Sequence, residues 1–533
     1  MNVFKRIQLS RDNDVTVANL VDELVRRKGD CEVSVGNDGR FCLRALHTEI
    51  CSIDAFLRRT VALRPGQLVA IYRTNTRACL HWFLAIIRAG GIAVPLNPLL
   101  SLPEVRRILA DSETDILVTD KAVFDRNIGD RKALNVRIWI QADDEPGTLE
   151  GFLRIGEAET AFPPSVIDPS ALVAVFHTSG TSGFPKGAAL SSNALLGARA
   201  TTVLASLFLS SRDLALIALP WSHIMAVCIA LYGLMAGIRG CFLDHFDVKD
   251  ALDLVDRFGI TTFVGVPTMF ARLVNSNPDP ARLRSVRVWL SASDQLPTSV
   301  RQRLRQFGAL ARLPGGKRVP PMLLNGYGMV ELGGLAMMGI DFPLIPGGGD
   351  LYFPVPPFRI RVVDEKGVPT PPGIAGECQI RRRGLAPSYW KEKGDHLGLL
   401  SSDGWLRTGD LATRNHFGFI RLVGRMKDVI KSGGYSVYVR ELEEAVLAHP
   451  SVARAVAFGL PHKEKGEIPV AAVELRSGSR ARENELLDWC RQNLAAYKAP
   501  RRIWILEPGG LPQNQNGKML RKALRERFSQ ELE

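Results

Sequence analysis

The chain has 533 residues, 46% of them hydrophobic and 23% charged, which argues against disorder and leaves room for two or three domains with sizeable cores. Its formal charge of +13 suggests anionic partners without naming one, and no nucleic-acid partner is expected. The eight cysteines form no CxxC pair and no Cys/His cluster, so neither a zinc site nor a disulfide scaffold is indicated and a cytoplasmic setting is expected. The N-terminus lacks the apolar core of a signal peptide, and no apolar run reaches the ~18 residues of a membrane span.

In chain order, LVAIYR (68–73) reads as a strand, ACLHWFLAIIRAG (78–90) as a helix and IAVPLN (92–97) as the next strand. Alternation on this scale implies parallel sheets flanked by helices. The run LVAVFHTSG (172–180) is a further strand, and it enters HTSGTSGFPKG (177–187). There Gly180, Gly183 and Gly187 allow backbone N–H groups to approach a phosphate. Thr178, Ser179, Thr181 and Ser182 add hydroxyl donors, and Lys186 adds a point charge. A P-loop requires Ser or Thr after the lysine; Gly187 stands there instead.

The apolar run from Ile224 to Ile238 is too short to span a bilayer and reads as a buried helix. Between Arg282 and Arg318 arginines gather around a single acid, Asp294. Val300, Leu304 and Phe307 mark this stretch as a helix face with solvated arginines around it. The alternative is a phosphate or peripheral membrane contact. From Arg421 the texture becomes strand, turn, strand, glycine turn and amphipathic helix, a compact α+β unit whose boundary falls at Gly424–Lys427.

Four further segments carry chemistry: NGYGMVE (325–331), WLRTGD (405–410) followed by GRMKD (424–428), KSGGYSVY (431–438) and PQNQNGK (512–518). With HTSGTSGFPKG, in this order between Asn75 and Lys518, they resemble the adenylate-forming superfamily of acyl- and aryl-CoA synthetases, peptide-synthetase adenylation domains and luciferases. The resemblance implies an α/β fold: a large N-terminal domain (1–424) of parallel-sheet α/β layers plus a distorted barrel, and a small mobile α+β domain (425–533) hinged near Lys427. It implies ATP and CoA as co-substrates and Mg²⁺ as cofactor. The Ser/Thr/Gly loop would hold the β- and γ-phosphates. Asn325, Gly326, Tyr327 and Gly328 would border the nucleotide, with Tyr327 stacked on adenine and Glu331 holding Mg²⁺. Asp410 would accept the ribose hydroxyls and Arg425 would donate to the ribose. Lys518 would stabilise the reacting phosphate, and Gly433 and Gly434 would line a pantetheine tunnel.

LPWSHIMAV (219–227) resembles the segment that places a histidine, here His223, near the carboxylate. Two departures stand out. Val330 replaces the family's threonine, which removes a donor to the α-phosphate; the lost bond is worth about 1.5–3 kcal/mol. LSASDQL (290–296) carries Asp294, which either recognises the adenine amine or faces solvent.

The implied reaction couples a carboxylate to AMP and then to a thiol. Ile224, Met225, Val227, Val266, Met269, Phe270, Met329 and Leu332 make the expected pocket apolar, with no arginine inside these segments to pair a second carboxylate. A medium- to long-chain fatty acid is favoured, then a hydrophobic aryl acid. A carrier protein as acceptor is the rival within the family, and a nucleotide-binding homologue of impaired catalysis is the rival outside it.

Overall fold

The strand Leu68–Ile71 leads into the helix Ala78–Arg88, which returns the chain to Ile92–Pro95, paired in parallel with the first strand. Val69, Ala70 and Ile71 are all buried. Such continuous apolar runs mark strands covered on both faces. The unit seeds an eight-stranded sheet to which Ile116–Thr119, Ile138–Gln141 and Leu172–Thr178 add in parallel. In this computed structural model the described residues are 14–37, 39–142, 152–154, 162–178, 186–197, 209–314, 317–341, 350–382, 388–390, 399–433, 435–513 and 519–529.

A second sheet of thirteen strands changes character along its width. One half is parallel and includes Leu214–Ile217, Thr262–Gly265, Val288–Ala292 and Met322–Met329. The other half, from Gly334–Asp341 to Arg359–Val363, is antiparallel. The strands expected in a barrel form this antiparallel continuation. The helix Ile224–Ala236 shares its core cluster with Phe176 of the first sheet and with Ile217 and Val264 of the second. It ends at Gly237, whose φ of 72° gives the left-handed cap that glycine adopts without steric cost. No helix among the described residues is long and apolar enough to cross a membrane.

Past Arg425 the chain makes a short 3₁₀ turn, Met426–Asp428, and enters a separate five-stranded sheet. Two apolar clusters, one around Ile430, Leu442 and Val473 and one around Phe458, Leu524 and Phe528, hold it together with residues from beyond that turn. Polar contacts join the two parts: Arg440 Nη2 lies 3.4 Å from Asp350 Oδ1, and Arg476 Nη1 donates to Asn275 Oδ1 at 3.2 Å.

The arginine-rich stretch folds around a helix, Thr298–Leu304, with Val300, Leu304 and Phe307 buried as expected. Its charges are less solvated than expected. Arg287 pairs with Asp213 at 2.8 Å, Arg301 with Asp350 at 2.7 Å and Arg305 with Asp341 at 2.9 Å, while Arg318 donates to the carbonyls of Arg305 and Gly308. The acids that balance this stretch come from distant sequence.

Strand Met322–Met329 approaches its neighbour too closely for side chains. A Cβ at Gly328 would lie 1.9 Å from the Gly334 carbonyl oxygen. Gly328→Ala is expected to lower stability by about 3 kcal/mol, whereas Gly233→Ala, whose Cβ meets nothing closer than 3.6 Å, should raise helix stability by about 0.5–1 kcal/mol. Thermal unfolding of the two variants tests this; equal midpoints would contradict the close approach at Gly328.

Candidate active site

Several of the singled-out segments converge on one cavity of about 2310 Å³. The strand Leu172–Thr178 pairs antiparallel with Lys186–Ser191, placing Thr178 opposite Lys186. A strand, where a P-loop has a helix, therefore follows the lysine, and Lys186 lines the cavity. Ser179, Gly180, Thr181, Ser182 and Gly183 lie outside the described residues. Gly187 also has a packing reason: a Cβ there would sit 2.8 Å from Val175 and 3.2 Å from the His177 ring. The His177 ring nitrogens have no hydrogen-bond partner among the described residues, and burial pushes its pKa down to about 4.

Along Met322–Met329 the side chains alternate between faces. Leu324, Gly326 and Gly328 line the cavity, whereas the Asn325 amide donates to the Tyr352 hydroxyl at 2.6 Å. Asn325 is absent from the lining, although its partner Tyr352 and its strand neighbours Tyr327 and Met329 belong to it. The Tyr327 hydroxyl donates to Asp410 Oδ2 at 2.5 Å, and Arg425 Nε lies 2.8 Å from Asp410 Oδ1. A carboxylate has about four lone-pair positions, so Asp410 keeps acceptor capacity for a sugar hydroxyl. Burial, reinforced by the Asp410 charge, raises the Tyr327 phenol pKa well above its ordinary value, so the phenol keeps its proton.

Glu331 sits on the 3₁₀ turn Val330–Leu332, 8% exposed, and accepts a hydrogen bond from the Tyr389 hydroxyl at 2.6 Å. Val330 lines the cavity beside it. His223 caps the helix Ile224–Ala236: its Nδ1 accepts from the Met225 N–H at 3.2 Å. The proton is thereby placed on Nε2, which lies 3.4 Å from Ser293 Oγ. Burial pushes the His223 pKa down to about 4, so the ring is a neutral donor at physiological pH. Ser293 holds a φ of 75°, a backbone strain of the kind that clusters at functional sites. Asp294 also lines the cavity, and its Oδ1 accepts from the Gln295 N–H.

Deeper in, the cavity runs over one face of the large sheet. Ile217, Val264, Leu290 and Leu324, adjacent in register, form its floor, with Ala215, Thr262 and Met322 beyond. Ile229 and Gly233 of the overlying helix line it from above. Ile224, Met225 and Met329 line it as expected. Phe270 and Leu332 are instead core residues, 0% and 1% exposed. Helical phase explains the first, since Thr268 and Ala271 of the helix Pro267–Asn275 face the cavity. Val227, Val266 and Met269 also fall outside the lining. Arg77, from a segment not considered in the sequence reading, does reach the cavity, with its guanidinium 4.1 Å from the Phe41 ring centroid.

Two profiles of known families match. AMP-binding enzyme covers residues 21–390, and the AMP-binding enzyme C-terminal domain covers 441–518. The chain belongs to the AMP-binding enzyme family. It is 30% identical over 477 residues to a feruloyl-CoA synthase from an Amycolatopsis species, covering 88% of this chain and 90% of that one. It is 26% identical over 552 residues to a long-chain-fatty-acid–CoA ligase of Escherichia coli O6:H1, covering 97% and 96%. Among solved structures, ATP-bound MatB from Rhodopseudomonas palustris matches with a TM-score of 0.82 at 25% identity, covering 97% of this chain and 100% of that one.

As in an AMP-binding enzyme, both parts of the chain border the cavity. Lys427 is exposed on the connecting turn and lines it. Gln513 and Met519, paired by an isolated bridge, line it too; Lys518 between them lies outside the described residues. Gly433 (φ 58°) donates to the Lys465 carbonyl at 2.9 Å and is not among the lining residues, and Gly434 is not described. Gln513 and Met519, on either side of 514–518, therefore face the cavity in this arrangement, and Gly433 does not line it. Glu331 suits Mg²⁺: a buried carboxylate with no ion pair among the described residues. No cluster of three or more metal-ligating side chains occurs among the described residues. Ser293 lies within the singled-out LSASDQL segment, whereas Tyr389 lies in none of the singled-out motifs.

His177 and His223 share a folded pKa of about 4, against roughly 6.5 when unfolded. Below the unfolded value the unfolded chain takes up protons that the folded chain does not. The destabilisation from these two groups is therefore absent above about pH 6.5 and grows as pH drops toward 4. Thermal midpoints against pH should show this slope, weakened in His223→Gln; a slope unchanged in that variant would show that His223 titrates normally.

Proposed function

We propose that this enzyme condenses a hydrophobic carboxylic acid with CoA through an acyl-adenylate. The observation that carries the reading is the apolar channel, which continues from the His223–Ser293 pair over the sheet face. From Gly326 to Met322 it follows four strand residues, roughly 13 Å, a depth suited to an extended acyl chain. A medium- to long-chain fatty acid is the preferred substrate. The hydrophobic aryl acid is the second reading, favoured by the 30% identity to a feruloyl-CoA synthase.

In the first half-reaction the neutral His223 donates from Nε2 toward the acid, holding its carboxylate oxygen for attack on the α-phosphorus of ATP. Lys186 and the glycine loop grip the departing phosphates, and Asp410 with Arg425 holds the ribose. Mg²⁺ held at Glu331 supplies positive charge against the phosphate oxygens. Lys518 offsets the charge that develops at the reacting phosphate. The acyl-adenylate and pyrophosphate result. A turn of the C-terminal part about Lys427 then withdraws Lys518 and brings in Gly433 and Gly434. The CoA thiol attacks the acyl carbon, and AMP leaves.

Pyrophosphate release across acids from acetate to hexadecanoate, with malonate and ferulate included, tests the substrate class. The specificity constant should climb with chain length to a medium- or long-chain optimum; an optimum at acetate, malonate or ferulate would overturn the fatty-acid reading. Gly233→Leu should fill the channel and cost the longest chains at least 10-fold while sparing the shortest. Lys518→Ala should slow acyl-adenylate formation by ~10²-fold or more yet leave the reaction of supplied acyl-AMP with free CoA near normal. Reaction with a carrier-protein thiol but not with free CoA would favour the carrier-protein alternative.

A further inference from the structure

Glu331 and Lys186 belong to different sheets, yet one side chain touches both. Tyr389 stands in the short edge strand Ser388–Tyr389, which pairs antiparallel with Lys186–Ser191 so that Tyr389 lies opposite Ala188. The next residue fixes this strand further: the Trp390 N–H donates to the Gly187 carbonyl at 2.7 Å. From that position the Tyr389 ring centroid lies 5.3 Å from Lys186 Nζ, and its hydroxyl donates to Glu331 Oε1 at 2.6 Å.

We propose that Tyr389 is a positioning residue that orients the metal-holding carboxylate of Glu331 and ties it to the strand that begins with Lys186. The proposal rests on the reading of Glu331 as the Mg²⁺ carboxylate. A glutamate on a short 3₁₀ turn has several rotamers open to it. A hydrogen bond from a phenol anchored in a neighbouring sheet selects one of them. It also commits Oε1, leaving Oε2 as the oxygen turned to a cation. The ring face meanwhile offers its negative quadrupole to the Lys186 ammonium. The phosphate-gripping lysine and the metal carboxylate, brought together from separate sheets, thus share one rigid connector. In this chain that connector acts beside Val330, which supplies no hydroxyl of its own.

The experiment is calorimetric binding of ATP to the full chain without any acid substrate, in Mg²⁺ and in EDTA. Tyr389→Phe keeps the ring but removes the hydroxyl. It should weaken binding in Mg²⁺ about 10-fold, the lower end of what losing a hydrogen-bond partner of a metal ligand costs, and leave binding in EDTA unchanged. Tyr389→Leu, which also removes the ring, should weaken binding in EDTA as well. In turnover, Tyr389→Phe should raise the KM for Mg·ATP more than it lowers kcat. Wild-type affinity of Tyr389→Phe in Mg²⁺, or an equal loss in Mg²⁺ and EDTA, would overturn the proposal. Should Tyr389→Leu fail to fold, Tyr389→Phe alone decides. If Mg²⁺ has no effect on ATP binding by the unaltered chain, or if Glu331→Gln leaves the Mg²⁺ effect intact, it is the reading of Glu331 that fails.

Discussion

Strand Met322–Met329 bonds in parallel to Val288–Ala292 on one side and antiparallel to Gly334–Asp341 on the other. That single change of partner organises the centre of the molecule. On the parallel side the strand continues a smooth apolar face, which becomes the channel floor. On the antiparallel side the chain must reverse at once, and the 3₁₀ turn Val330–Leu332 with Gly333 at φ 75° performs the reversal. Glu331 is delivered to the cavity by this turn, and Tyr327 by the bulged strand just before it. Gly328 and Gly333 leave no room for a side chain, because a Cβ on either would press on a backbone carbonyl, that of Gly334 or Ala194.

The polar groups around this seam are held in defined states by burial and by their neighbours. Asp410 is 6% exposed and receives Tyr327 and Arg425, which answers the cost of burying a charge. His223 is neutral because burial disfavours a positive ring and because the Met225 N–H already occupies Nδ1. Each of these groups lines the cavity with its protons already placed.

The two parts of the chain differ in how they are joined. Each has its own apolar clusters, and the contacts between them include polar ones such as Arg440–Asp350 and Arg476–Asn275. Contacts of that kind can be exchanged without opening a hydrophobic core. Gln513 and Met519, on either side of 514–518, border the cavity while Gly433 does not line it.

By itself the sequence determined the alternating α/β architecture, a buried helix beginning at Ile224, the change of texture from Arg421 and the motifs that bring Lys186, Tyr327, Glu331, Asp410, Arg425 and Lys427 to one cavity. Periodicity and the residue types a chemistry requires are local properties, readable along the chain. Tertiary structure alone decided the rest. Asn325 is absent from the lining, and Phe270 is lost to the core because helix phase depends on what the helix packs against. Arg287, Arg301 and Arg305 find their acids at Asp213, Asp350 and Asp341, beyond any local window. Tyr389 meets Glu331 because two sheets converge, and no spacing within one segment encodes the meeting of two sheets.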